Sequence, residues 1–270
     1  MLPDPKRAPP IRCGVVSEDL VRARWLASEP AFAAWMLLES PTVAEILGHT
    51  GFDAVVVDLQ HGSSTLHDLA DIGRAIDATP AVPFVRASWN DPAELMRVLD
   101  LGTRGVICPM IGSREEADAF VRACRYPPRG IRSYGPIRRA SGDDAIEHAE
   151  RSNADVSLFA MIETADGLRN VREIAATAGL DGLFVGPTDL GLSLGLDHPG
   201  DLTDPALLSR IETILEAAVA EERVAGIHAP DPRRAAEMAA RGFRLISSAV
   251  DIDLIRGGAD AALRTVHGTG

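Results

Sequence analysis

Short apolar segments alternate along the chain with longer amphipathic ones. Eight of the apolar segments have the length and the β-branched and aromatic content of buried strands. They cover residues 33–38, 52–58, 82–87, 104–110, 157–163, 181–186, 224–229 and 243–249. Between them, apolar residues recur at helical spacing, and several segments begin with Ser, Thr or Asp-Pro and end in Gly, as capped helices do. These predicted helices include residues 42–50, 91–102, 113–125, 168–179, 206–222 and 232–242.

Repetition of eight strand–helix units predicts a parallel sheet, and a chain of 270 residues favours a closed (β/α)8 TIM barrel. An open, doubly wound sheet is the structural alternative, although no GxGxxG sequence follows an early strand. We expect one barrel domain over residues 28–270, preceded by a proline-rich, partly disordered arm over residues 1–27. The longest irregular stretch is expected at about 126–155.

Ionisable residues follow several of the predicted strands at the point where each strand ends. Asp58 and His61 follow the second strand, Arg86 the third, Glu163 the fifth and Asp189 the sixth. In a barrel, the carboxyl ends of the strands form one active face, so these side chains are expected to converge. Each also has a structural explanation, such as a helix cap, a turn or an ion pair, and the sequence alone leaves both readings open.

The two acids among these residues suggest a metal site. Glu163 and Asp189 are oxygen ligands of the kind that Mg²⁺ or Mn²⁺ prefers, with substrate and water completing the coordination. The only lysine is Lys6, in the N-terminal arm, which argues against an enzyme that works through a lysine imine. A metal ion would then hold the enolate of a 2-oxo acid.

Three further features fit enolate chemistry. Arg86 would stabilise the developing oxyanion, and His61 would carry a proton near neutral pH. The GPTD turn at residues 186–189 precedes a predicted helix, so its backbone N–H groups would be available to a carboxylate.

Composition excludes several other classes of protein. The net charge of -12 argues against a nucleic-acid or anionic-membrane partner, and no apolar segment is long enough to predict a membrane span. The three cysteines share no short spacing, so we expect reduced thiols in a cytoplasmic protein and no zinc site.

From about Ser28 onward the sequence resembles the HpcH/HpaI aldolases, a family of metal-dependent pyruvate aldolases. The resemblance is carried by FDAVVVDLQHG, VRASWNDPAELMRVLDLGTRGVICPM, ADAFVRACRYPPRGIRSYG, MIET and DGLFVGPTDLGLSLG, in the family's order and spacing. It implies a (β/α)8 barrel, a homohexamer built as a trimer of dimers with the last helix exchanged, and a divalent cofactor (Mg²⁺, Mn²⁺ or Co²⁺).

The resemblance also implies roles for individual residues. Glu163 and Asp189 match the metal ligands, and His61 matches a base that acts through metal-bound water. Arg86 matches the arginine that binds substrate and stabilises the enolate, and Asp100 matches an acid that supports the basicity of the histidine. The remaining expected substrate contacts are Gly186, Pro187, Thr188, Asp189 and His228, of which Thr188 and Asp189 would hold the carboxylate through backbone amides.

Three positions depart from the family pattern. Gln60 replaces an acid in the D-x-E-H motif, Met161 stands where a glutamine is common, and His228 follows the seventh strand where an apolar residue is common. We expect His228 to contact the aldehyde, with a turn residue as the alternative.

The function expected from the resemblance is reversible cleavage of a 4-hydroxy-2-oxo acid to pyruvate, or a related 2-oxo acid, and an aldehyde. The alternatives are a decarboxylase, a citrate-synthase-like condensing enzyme, a CoA-ester lyase, and a barrel with no catalytic activity.

Overall fold

The computed structural model describes residues 19–137 and 144–268. Eight parallel strands pair in sequence order and close into a barrel, with β1 hydrogen-bonded to both β2 and β8. The strands are β1 (Ala31–Met36), β2 (Ala54–Asp58), β3 (Val82–Arg86), β4 (Gly105–Cys108), β5 (Ser157–Ile162), β6 (Gly182–Val185), β7 (Val224–His228) and β8 (Leu245–Val250). The predicted (β/α)8 fold is confirmed, and each predicted strand overlaps an observed one.

Strands in this barrel are buried on both faces, because side chains alternate between its interior and the surrounding helices. In β2, Val56 belongs to the interior cluster, together with Trp35, Phe84 and Phe159. The neighbouring Val55 and Val57 belong to the larger cluster between sheet and helices. The barrel is therefore a packed core, and room for a ligand is left at its mouth.

Twelve helices lie among the described residues. They are α1 (Leu20–Leu26), α2 (Pro41–His49), α3 (Leu69–Asp77), α4 (Pro92–Asp100), α5 (Arg114–Cys124), α6 (Ala145–Asp155), α7 (Ala165–Arg169), α8 (Val171–Ala175), α9 (Pro187–Ser193), α10 (Pro205–Ala220), α11 (Pro232–Arg241) and α12 (Asp251–His267). Side chains of Ser40, Asp91, Ser113, Asp204 and Asp231 accept backbone N–H bonds at helix starts, as the capping signals predicted.

Two expectations about the chain between β4 and β6 were wrong. The stretch expected to be irregular over 126–155 contains α6, which buries only two polar residues, His148 and Asn153, and so lacks the apolar pattern of a core helix. The single helix expected at 168–179 is two short ones, because the chain breaks at Asn170, whose side-chain amide donates to the Gly112 carbonyl.

Helix α1 covers the amino-terminal end of the barrel. Val21 is fully buried, and the indole N–H of Trp25 donates to the Arg244 carbonyl at 2.7 Å. The Trp25 ring also packs against Phe159, 5.6 Å between centroids. Residues 1–18 of the expected arm lie outside the described residues, and the boundary at residue 27 stays a prediction. No described helix is both long and apolar enough to cross a membrane.

Candidate active site

A cavity of about 370 Å³ opens at the carboxyl ends of the strands. Its lining comes from seven of the eight strands or the residues directly after them: Trp35, Leu37, Asp58, His61, Arg86, Met161, Gly186, Pro187, Thr188, Asp189, His228 and Val250. The structure therefore brings most of the predicted site residues to one cavity.

Asp58 organises one side of this cavity. It is fully buried at the end of β2, and its carboxylate accepts both Nε (2.9 Å) and Nη2 of Arg86 and the indole N–H of Trp35 (3.0 Å). Burial alone would raise the pKa of the Asp58 carboxyl, but the bonds and charge of Arg86 and the Trp35 bond outweigh it, so the pKa is lowered. A buried strand can thus end in a carboxylate because that carboxylate is paired.

Asp58 also fixes the turn that carries His61. Its Oδ1 accepts the backbone N–H groups of Gln60 (2.9 Å) and His61 (3.1 Å). The His61 side chain is exposed at the rim and makes no hydrogen bond to another described residue. Its ring is free to meet a ligand or a residue from outside the chain.

Arg86 is buried and is held by two neighbours. Besides the two bonds to Asp58, its guanidinium lies over the Trp35 ring, 5.0 Å from the centroid. Two hydrogen bonds and one cation–π contact leave the guanidinium little freedom, so Arg86 presents a fixed positive charge to the cavity.

Glu163 is a buried carboxylate with one unpaired oxygen. Oε1 accepts the Met110 N–H at 2.8 Å, whereas Oε2 is buried and has no hydrogen-bond partner. Burial raises the pKa of the Glu163 carboxyl to about 7, and the charges of Asp189 and Asp58 add to the rise. The Met110 bond and the charge of Arg86 only partly offset it. A cation beside Oε2 would relieve this cost.

The turn at residues 186–189 lies against Glu163. A Cβ placed on Gly186 would come within 2.5 Å of Glu163 Oε2, so only glycine lets the backbone pass this close. Pro187 is buried at the start of α9, and Thr188 and Asp189 are exposed to the cavity mouth. Glu163 therefore lies against the turn that carries Asp189, close enough for the charges of the two acids to interact.

The acids of this site fit a divalent ion that is only partly coordinated by protein. The described part of the chain holds no group of three or more His, Cys, Asp or Glu placed to bind a metal. Mg²⁺ and Mn²⁺ need fewer protein ligands than that, because they keep several water or substrate oxygens alongside one or two carboxylates. The unpaired Oε2 of Glu163 beside Asp189 meets this requirement.

His228 lines the cavity at the end of β7, where it is partly buried. Its Nδ1 is 3.0 Å from the hydroxyl of Ser247 on β8, and its ring meets Trp35 edge-on, 5.1 Å between centroids. Burial, with the charge of Arg86, lowers the pKa of His228 to about 4, so the ring is neutral near pH 7. The contact with Ser247 joins neighbouring strands inside the barrel, unlike a turn residue's local contact.

Asp100 is the one predicted site residue that lies elsewhere. It ends α4, just before β4 begins, and so lies at the amino-terminal end of the barrel. Its carboxylate accepts Nη2 of the buried Arg132 at 2.8 Å. The expected support of His61 by Asp100 is not made within one chain.

Sequence reasoning missed three parts of the site. Trp35 looked like an ordinary core residue of β1, and Ser247 like an ordinary residue of β8. Met110 acts through its backbone N–H, and it adopts an uncommon positive φ of 59° to do so. Trp35 could have been identified as a tryptophan near a strand end, whereas nothing in the sequence marks Ser247 or Met110 as part of the site.

Three comparisons with known proteins agree with this arrangement. The profile of the HpcH/HpaI aldolase/citrate lyase family matches residues 32–257. The chain is 38% identical to a hydroxypyruvate/pyruvate aldolase of Rhizorhabdus wittichii, covering 87% of this chain and 93% of that one. It is 31% identical to a 4-hydroxy-2-oxo-heptane-1,7-dioate aldolase of Escherichia coli, covering 90% and 93%. A solved structure of the citrate synthase SbnG aligns with a TM-score of 0.82 at 27% identity, covering 92% and 98%.

Proposed function

The chain belongs to the HpcH/HpaI aldolase/citrate lyase family, and we propose that it reversibly cleaves a 4-hydroxy-2-oxo acid. The products would be pyruvate, or a related 2-oxo acid, and an aldehyde. The observation that carries the proposal is the buried, unpaired Oε2 of Glu163, which lies against Gly186 in the wall of the cavity that Asp189 and the immobilised Arg86 also line.

We propose that Glu163 and Asp189 hold a divalent ion such as Mg²⁺, Mn²⁺ or Co²⁺. When bound, such an ion polarises the keto group and stabilises the enolate that remains after the carbon–carbon bond breaks. The donor set consists of hard oxygen atoms, which suits these ions.

The chain's own residues would bind and orient the substrate. The backbone N–H groups of Thr188 and Asp189, in the first turn of α9, would receive the carboxylate of the 2-oxo acid. Arg86 is held by Asp58 and Trp35 before substrate arrives, so its charge can stabilise the developing enolate oxygen without a reorganisation cost. Gly186 lies against Glu163, so the proposed carboxylate site would border the proposed metal site.

His61 is the proposed base, which accepts the proton of the C4 hydroxyl during cleavage. It is exposed at the rim, and its ring has no hydrogen-bond partner in the described residues. Since Asp100 lies at the other end of the barrel, its support of His61 would require a second copy of the chain.

We also propose a homo-oligomer, in keeping with the expected hexamer. Helix α12 buries only Asp251, while Leu254, Ile255, Leu263 and Val266 are exposed. A 17-residue helix with an unburied apolar surface gains stability by packing against another copy.

Proton exchange at C3 of pyruvate in deuterium oxide tests the proposed function. Exchange requires the enolate and no aldehyde, so it is independent of the aldehyde that the enzyme uses. We expect exchange with Mg²⁺, Mn²⁺ or Co²⁺, and loss of exchange when a chelator is added. Exchange that persists in metal-free protein would contradict the metal site, and no exchange with any of the three ions would contradict the aldolase.

A citrate-forming condensation is the second candidate, and the likeness to the citrate synthase SbnG supports it. In that reaction the enolate would form on a 2-carbon acyl donor and add to the keto carbon of oxaloacetate, with the metal site in the same role. Two assays distinguish the two candidate functions: one supplies oxaloacetate with a 2-carbon acyl donor, and the other supplies pyruvate with an aldehyde. Only one of these substrate pairs should react at an appreciable rate.

A further inference from the structure

His228 is held from two directions inside the cavity. Its Nδ1 meets the Ser247 hydroxyl at 3.0 Å, and Ser247 itself is fully buried. The Trp35 ring contacts the imidazole edge-on. Nε2 has no hydrogen bond to any described residue, so it is the ring nitrogen left to bind a molecule in the cavity.

The charge state of His228 restricts what it can bind. Burial and the nearby guanidinium of Arg86 lower its pKa to about 4, so the ring is uncharged near neutral pH. A neutral imidazole suits a hydroxyl, which can both donate and accept, better than it suits a second carboxylate that would need a cation.

The position of His228 identifies which part of a substrate it meets. The proposed metal ligands and the carboxylate turn lie on the β5–β6 side of the mouth, while His228 and Trp35 lie on the β7–β8–β1 side. A 2-oxo acid held through its carboxylate and keto oxygens has only its C3 substituent left to reach the other wall. The aldehyde would approach afterwards from the open mouth, where His61 lies.

We propose that His228 selects the nucleophile of the reaction: its Nε2 binds a hydroxyl on C3 of the 2-oxo acid, so that 3-hydroxy-2-oxo acids are preferred to unsubstituted ones. This inference rests on the proposed function and replaces our expectation that His228 contacts the aldehyde. Without the hydroxyl, the imidazole would remain buried against an apolar methyl group, which costs the site a hydrogen bond.

The test is C3 proton exchange in deuterium oxide, measured separately for hydroxypyruvate and pyruvate with Mn²⁺ present and no aldehyde. Enolate formation breaks a C3–H bond: the proton goes to the base, the electron pair forms the C2–C3 double bond, and the carbonyl pair moves to oxygen. The reverse step delivers a deuteron to C3, so loss of the proton signal reports the enolate. Rates without enzyme, with Mn²⁺ alone, are subtracted.

The quantity compared is kcat/KM for hydroxypyruvate divided by kcat/KM for pyruvate. We expect His228→Leu to lower this ratio about tenfold, the value of one neutral hydrogen bond, while pyruvate exchange continues. Ser247→Ala keeps the imidazole of His228 but removes the hydroxyl that holds its Nδ1, and should lower the ratio less than His228→Leu does. It also tests the inference should His228→Leu not fold. His49→Leu makes the same replacement at the exposed end of α2 and should leave the ratio unchanged.

Two results would overturn the inference. One is an unchanged ratio in both cavity variants while exchange proceeds, which would leave the proposed function intact. The other is a variant that alters only the preference for hydroxylated over unsubstituted aldehydes, measured in the full reaction. That result would assign His228 to the aldehyde. Absence of exchange with both acids in the unaltered enzyme would instead show that the proposed function itself is wrong.

Discussion

At the scale of single residues, the site is built from buried polar groups, and hydrogen bonds and opposite charges offset the cost of burial to different degrees. Asp58 is as deeply buried as any core residue but accepts five hydrogen bonds, two of them from Arg86. Glu163 is also buried but keeps one oxygen unpaired. The first carboxylate holds the Arg86 and Trp35 side chains, and the second keeps an oxygen available to the metal ion that we propose.

The lowered pKa of His228 predicts how stability depends on pH. The unfolded chain protonates this histidine near pH 6.5, whereas in the folded chain the pKa is about 4. The stability contributed by the neutral ring is therefore complete above pH 6.5 and is lost as the pH falls towards 4. We expect the free energy of unfolding of the wild type to fall by up to about 3 kcal/mol more than that of His228→Leu between pH 7.5 and 4.

Urea unfolding of both proteins across this pH range measures the difference, because all other titrating groups are shared. Parallel curves would mean that the pKa of His228 is not lowered in the folded chain, and would remove one support for hydroxyl recognition.

Asp58→Asn should damage both stability and enolate formation. Removing the carboxylate leaves the Arg86 guanidinium buried without its counter-charge, a change that typically costs about 3–5 kcal/mol. It also frees Arg86 from its fixed position, so we expect pyruvate exchange to slow by at least about tenfold, since a displaced charge stabilises the enolate oxygen poorly.

Asp53→Asn is the matched control for this change. Asp53 is a buried carboxylate at the opposite end of β2, where it binds Arg24 and the Phe32 N–H. Its replacement should lower the unfolding temperature without changing exchange per folded molecule. If Asp58→Asn behaved in the same way, Asp58 would be a purely structural residue.

At the scale of the elements, the repeated strand–helix pattern was predictable from the sequence, whereas features that depend on single polar contacts were not. The eight strands were predictable because burial on both faces leaves nearly continuous apolar runs such as Val55–Val57. Helix α6 was missed because its buried side chains, His148 and Asn153, are polar. The break at Asn170 depends on a bond to Gly112, which is distant in sequence, and no local pattern encodes such a contact.

The candidate site shows the same division. Ionisable residues at strand ends were visible in the sequence, because the barrel fixes which ends converge. Pairing was not visible: nothing in the order of residues shows that Asp58 binds Arg86, or that Met110 holds Glu163 through its backbone. These contacts depend on the register between neighbouring strands, as in the pairing of Asp58 with Arg86 across β2 and β3.

At the scale of the whole molecule, the two ends of the barrel carry different parts of the proposed machinery. The carboxyl end of the strands holds the cavity and the exposed, unpaired ring of His61. The amino-terminal end holds Asp100, whose side chain is 18% exposed and binds Arg132 through one oxygen. If the acid supports the histidine, as the family resemblance implies, the two must come from different copies.

This arrangement predicts complementation between two defective variants. His61→Ala should lower the rate of aldol cleavage by about 10²–10⁴-fold, as loss of an acid–base group does, with little change in Mn²⁺ affinity. The Asp100→Asn variant should lose less activity, and the pH profile of its rate should be shifted.

A site formed by His61 from the Asp100→Asn chain and Asp100 from the His61→Ala chain is unaltered. Mixing the two proteins in equal amounts, unfolding them together and refolding them should therefore give more activity than the average of the two variants refolded separately. Activity equal to the average of the two separate samples would place the histidine and its supporting group in one chain, and would remove Asp100 from the site.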